Sequence, residues 1–83
     1  MLALSATAAP MRQQADSAYS AGRYTEAVEL YKGVIDSEGT SAQLLYNLGN
    51  ACVRSGAPAD AVIYYERALR LDPGNKDARN NLY

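Results

Sequence analysis

At 83 residues the chain makes at most one small domain, which buries only ~60–65% of its unfolded surface and so has a thin core. Eight basic and nine acidic residues are interspersed to a formal net charge of −1 with no basic run, which argues against a nucleic-acid or anionic-membrane surface. There is no histidine and one cysteine, with no Cys-x-x-Cys, no glycine-rich phosphate loop and no clustered carboxylates. The expectation is therefore a non-enzyme with no catalytic residues, no metal site and no cofactor.

Residues 1–9 (MLALSATAA) are small and apolar. They are read either as a signal-peptide remnant with a small-x-small site at Ala6-Thr7-Ala8 or Thr7-Ala8-Ala9, lacking the basic part, or as a leader on a soluble domain. From Pro10 to Ala21 the pattern is helical, with Met11, Ala15, Ala18 and Tyr19 on one side and Pro10 suited to the first turn. Gly22-Arg23 turns the chain into a second helix over residues 24–35, with Ala27, Val28, Tyr31, Val34 and Ile35 inward. Within it Gly33 should cost about 1 kcal/mol relative to alanine. Residues 36–39 read as a loop, and Thr40 with Gln43 has capping-box form for a third helix.

The third helix carries Leu45, Leu48, Cys52 and Val53 on one apolar stripe, where Cys52 is a small core residue rather than a nucleophile. Gly56-Ala57-Pro58 interrupts the pattern, and Pro58 opens a fourth helix with Ala61, Val62, Tyr65, Ala68, Leu69 and Leu71 on its apolar face. Asp72-Pro73-Gly74 stops it, and Asn75 caps a short fifth helix. No stretch has the ~20 apolar residues of a membrane span.

The two helical pairs are copies. Gly22 and Gly56, Ala27 and Ala61, and Tyr31 and Tyr65 stand 34 positions apart, and Val34 matches Ala68 at the same offset. A fixed period of this size means units that cannot bury their faces alone and stack into a helical solenoid. Ala27, Ala61, Ala68 and Gly49 are small where helices approach closely, since larger side chains there cost typically ~1–3 kcal/mol each.

Leu45, Leu48-Gly49, Gly56, Ala61, Tyr65, Ala68 and Pro73 resemble a tetratricopeptide repeat in register, with Cys52 in place of the usual tyrosine. The first unit keeps Tyr19, Gly22, Tyr24, Glu26-Ala27 and Tyr31 but has Ala15 and Gly39 where the family has glycine and proline. Its first helix is therefore expected to be the more displaced or frayed. The resemblance implies an all-α chain, an α-solenoid of two helix-turn-helix units plus a short C-terminal capping helix. Residues 1–9 are then a leader, 10–41 the first unit, 42–75 the second, and 76–83 the start of a third pair or a cap.

In this family the first helix of each pair lines a concave groove that binds an extended peptide or partner helix. Carried over, those positions give Arg12, Asp16, Tyr19, Gln43, Tyr46, Asn47, Asn50 and Arg54. Asn47 and Asn50 offer donors and acceptors to a peptide backbone, and Arg12 and Arg54 can pair with a carboxylate. Beside this stands a structural reading in which Asn47 stabilises the contact with the neighbouring unit, and Tyr31 and Tyr65 are packing residues. Asp16 and Asp77 stand where the family's carboxylate clamp needs asparagine and lysine, which argues against carboxyl-terminal tails as ligands.

The expected function is a protein-interaction scaffold for a protein or peptide partner. The alternative is self-association, a homo-oligomer stacking through an under-covered end face around Ala78 and Leu82. The wording of Ala61 to Leu82 is also similar to the repeat segment of bacterial aerotolerance-operon (Bat) proteins, especially the envelope-associated BatE-like member. That implies a bacterial periplasmic or cell-envelope location; otherwise the chain is expected in the cytoplasm.

Overall fold

The structure is a computed structural model, and it describes residues 9–82. The leader reading of residues 1–9 falls almost wholly outside them. Five α-helices follow one another: α1 (Met11–Ser20), α2 (Tyr24–Glu38), α3 (Ala42–Arg54), α4 (Pro58–Leu71) and α5 (Lys76–Leu82). Each packs on the next, α1 against α2 and α3 against α4 most extensively, with α2 against α3 joining the two pairs and α5 docked on α4.

The two pairs turn in the same way. After α1, Gly22 at φ 81° lets its N–H reach the Tyr19 carbonyl at 3.0 Å while the Arg23 N–H reaches Ala18 at 2.8 Å. After α3, Gly56 at φ 88° bonds to Val53 at 3.2 Å and Ala57 to Cys52 at 2.8 Å. Both are Schellman motifs, which need a left-handed residue just past the helix, and glycine adopts that conformation without a Cβ penalty. Pro58 then occupies the first turn of α4, and Asn75 Oδ1 accepts the Ala78 N–H at 2.9 Å to cap α5, both as the sequence implied.

Several boundaries and faces differ from the sequence reading. Pro10 is the N-cap of α1 rather than its first residue. α2 does not end at Ile35: residues 36–38 contain no helix breaker, the Ser37 hydroxyl donates to the Val34 carbonyl at 3.3 Å, and the helix stops only at Gly39, with φ 90°. Thr40 is not the cap of α3. Ser41, with extended backbone, accepts the Leu44 N–H on its hydroxyl at 3.1 Å, while Gln43 donates to Asn47 instead of closing a capping box.

The core is built from Ala15 and Ala18 of α1, Ala27, Val28, Tyr31 and Val34 of α2, Leu44, Leu48, Ala51 and Cys52 of α3, and Ala61 and Tyr65 of α4. A satellite cluster joins Leu45, Ala68 and Ala78, while Leu82 of α5 packs against the main core. Of the two residues expected at an end face, Ala78 is fully buried and Leu82 half-buried. α1 is not loosely held, since both of its inward alanines are fully buried. Val53, Val62 and Leu71 were expected on apolar faces but are exposed, and Leu44, one position from the predicted stripe, is buried. A helix face about 100° wide admits a neighbour on either side of its centre, and the flanking helices decide which one.

Gly49 is the close approach that the repeat pattern implied. A Cβ there would lie 2.5 Å from Cε1 and 2.7 Å from Cδ1 of the Tyr65 ring. Among the described residues no helix is long and apolar enough to cross a membrane.

Candidate functional site

Helices α1 and α3, the first members of the two pairs, contribute one side of the molecule together with α5, and two adjoining cavities open on it. The first, about 250 Å³, is lined by Asp16, Tyr19 and Ser20 of α1, Tyr31 of α2, and Asn47 and Asn50 of α3. The second, about 230 Å³, is lined by Tyr19, Asn50, Val53 and Arg54, with Tyr65 of α4 and Asn81 of α5. Tyr19 and Asn50 belong to both, which makes one continuous surface of mixed polar and apolar lining.

The floor of each cavity is a tyrosine from the second helix of a pair. The Tyr31 hydroxyl donates to Asp16 Oδ1 and the Tyr65 hydroxyl to Asn50 Oδ1, each at 2.5 Å. The rings are buried while the hydroxyls reach the cavities, as the amphipathic character of tyrosine allows. Both tyrosine pKa values are raised, first by burial; for Tyr31 the hydrogen bond to Asp16 and that carboxylate's charge add to it.

A second layer fixes the rims. Asn81 Nδ2 donates to Asn50 Oδ1 at 3.1 Å and to the Tyr46 hydroxyl at 3.3 Å, tying α5 to α3. The Tyr46 and Tyr65 rings lie 6.0 Å apart. Arg54 stacks over the Tyr24 ring at 5.2 Å, and Tyr24 meets Tyr19 edge-on at 5.3 Å, so the start of α2 braces the end of α3. The Arg54 guanidinium has its pKa raised further, first by hydrogen bonding with Tyr19 and then by Tyr24.

Of the eight residues expected in the groove, Asp16, Tyr19, Asn47, Asn50 and Arg54 are brought together on these cavities. The other three line neither. Arg12 pairs with Glu38 at 3.5 Å, Gln43 donates to Asn47 Oδ1 at 2.8 Å, and Tyr46 is held at the rim by Asn81. Five cavity residues lie outside that expectation: Tyr31 and Tyr65, which the sequence reading gives as packing residues, and Ser20, Val53 and Asn81. The 34-residue offset carries a signal for the last three, since Ser20, Val53 and Asn81 stand opposite Arg54, Tyr19 and Asn47. Val53 was missed because an apolar residue at helical spacing was assigned to the core.

Asn81 also bears on the structural reading of asparagine at this repeat position. In α5 it bonds the preceding unit. In α3 the equivalent Asn47 is engaged by Gln43 of its own helix and lines the open cavity.

A comparison with curated proteins finds no match. Residues 12–76 match a family model of the tetratricopeptide repeat, a span that takes in both helical pairs and their glycine turns. With that match, the 34-residue offset in sequence and the duplicated turn geometry, the chain belongs to the tetratricopeptide repeat family.

Proposed function

We propose that this chain is a protein-interaction scaffold that binds an extended peptide segment of a partner along the surface of Asp16, Tyr19, Ser20, Asn47, Asn50, Val53 and Arg54. Tetratricopeptide repeats generally mediate protein–protein interaction and are typically non-catalytic scaffolds. The observation that carries the reading here is the pair of adjoining cavities sharing Tyr19 and Asn50. At about 250 and 230 Å³ each falls below the ~300–1,000 Å³ of a typical small-molecule site and suits single side chains of a peptide crossing both. The amides of Asn47 and Asn50 supply backbone donors and acceptors, and the tyrosines supply rigid contact area.

A placement within a bacterial envelope complex rests only on the likeness of Ala61 to Leu82 to the aerotolerance proteins. The binding reading does not depend on it.

The test is selection of a displayed random dodecapeptide library on the immobilised chain, followed by binding of the enriched peptides to a Ser20→Arg/Val53→Arg variant. Both positions are exposed, so the long side chains fill the cavities without entering the core. Enriched peptides should bind the variant at least about tenfold more weakly, a loss of about 1.4 kcal/mol. Peptides that bind both proteins equally would show that the partner surface lies elsewhere.

A further inference from the structure

The two units offer a direct comparison at the tyrosine-bonded acceptor. In the second unit Asn50 Oδ1 receives two donors, the Tyr65 hydroxyl and Nδ2 of Asn81 from the next helix. In the first unit the acceptor is Asp16, which receives the Tyr31 hydroxyl on Oδ1. The residue equivalent to Asn81 is Asn47, and it is engaged with Gln43 rather than bonded to Asp16. The first unit thus presents a carboxylate where the second presents an amide already closed by its neighbour, and it opens on a cavity of about 250 Å³.

That carboxylate also has no ion-pair partner among the described residues. Among the described residues no lysine or arginine nitrogen comes within 4.0 Å of it, and residues 1–8 contain neither residue type. Arg12, one turn earlier on α1, is drawn to Glu38, and Arg54 is stacked on Tyr24. Lining the same cavity are the Tyr19 ring, which can face a cation, and the Ser20 hydroxyl and Asn47 amide, which can accept hydrogen bonds.

We propose that the cavity around Asp16 takes a lysine or arginine side chain of the bound peptide, so that this groove selects basic segments. The inference rests on the groove reading and deepens it: charge complementarity now names the partner's chemistry. An ammonium or guanidinium bonds the carboxylate and lies against Tyr19, while its aliphatic stem fills the cavity.

The experiment extends the dodecapeptide selection. Enriched peptides should share a lysine or arginine at one fixed position, and replacing it by Nε-acetyl-lysine or glutamine should weaken binding about tenfold or more. Asp16→Asn should weaken the parent peptide to the same degree and be indifferent to the acetylated one. Its fold is expected to hold because Asn50 makes the same bond to Tyr65, and the acetylated peptide probes the charge with the protein unaltered. Peptides that lose binding to Ser20→Arg/Val53→Arg yet lack a basic residue, or ignore both acetylation and Asp16→Asn, would overturn the inference and leave the groove reading standing. If no enriched peptide depends on the groove, both fall.

Discussion

Two glycines lie inside helices, and they should respond in opposite directions to the same substitution. On helix propensity alone Gly→Ala stabilises each by about 1 kcal/mol. The space around them decides otherwise. At Gly33 a new Cβ would lie 2.6 Å from Met11 Sδ, the far end of a flexible side chain that is 39% exposed. Met11 can swing away at little cost, so Gly33→Ala should be stabilising by about 0.5–1 kcal/mol.

At Gly49 the Cβ would lie 2.5 Å from Tyr65 Cε1. That ring is rigid, 2% exposed, held by Asn50 through its hydroxyl and faced by Tyr46. Ring or helix must shift by roughly an ångström. Overpacking at the upper part of its ~1–3 kcal/mol range and weakening of a hydrogen bond worth ~0.5–1.5 kcal/mol outweigh the propensity gain. Gly49→Ala should therefore destabilise by about 2 kcal/mol. For a domain of this size 1 kcal/mol moves Tm by ~4–8 °C, so circular dichroism melts should show a fall of about 8–16 °C for Gly49→Ala and a rise of about 4 °C for Gly33→Ala. Gly49→Ala combined with Tyr65→Leu should lose less than the sum of the two alone, by about 1 kcal/mol or more. The reasoning is refuted if the two alanine variants shift alike, or if the double variant is additive.

Gly56→Ala isolates the backbone, because its Cβ would meet nothing within 4 Å while φ stays at 88°; a loss of about 1–2 kcal/mol in urea unfolding is expected. Ser41→Ala should cost about 1 kcal/mol while Thr40→Ala stays within about 0.5 kcal/mol, and the reverse order would move the α3 cap back to Thr40. Stability should fall in alkali. Tyr31 and Tyr65 have folded pKa values above the ordinary 10.0, and Cys52 above its 9.0. Their protons are thus lost from the unfolded chain first, and the stability present below about pH 9 is lost as pH rises through 10 and beyond. The slope approaches ~1.4 kcal/mol per pH unit for Tyr31, whose shift is large, and Tyr65 and Cys52 add to it with the same sign. Tyr31→Phe should flatten it, and identical slopes in urea titrations at pH 9–11 would contradict the assignment.

The period and the punctuation were legible in the sequence because each rests on local chemistry. Gly22 and Gly56 mark turns, Pro58 suits the first turn of a helix, and Asn75 can cap one. What failed depended on neighbours. Asp36, Ser37 and Glu38 resemble a loop by composition, yet the helix runs on to the first residue that breaks it, Gly39. Val53, Val62 and Leu71 are apolar and at helical spacing, and only the position of the flanking helices leaves them exposed. Arg12 matched a groove position as well as Asp16 did, but the longer α2 brings Glu38 within its reach.

Because the chain contains its unit twice, each copy is an internal control for the other. Contacts that recur at the 34-residue offset belong to the fold: the two Schellman turns and the two tyrosine hydroxyl bonds. Positions that bear on the cavities and change between copies are released from that constraint: Asp16 against Asn50, Tyr19 against Val53, Ser20 against Arg54. The first of these is informative because its hydrogen bond is kept while its charge is not. An amide oxygen also accepts a tyrosine hydroxyl, as Asn50 does from Tyr65, so this bond does not by itself require a carboxylate at Asp16. Among the described residues the Asp16 carboxylate has no ion-pair partner, and binding a cation is a use that the surrounding ring and hydroxyls can serve.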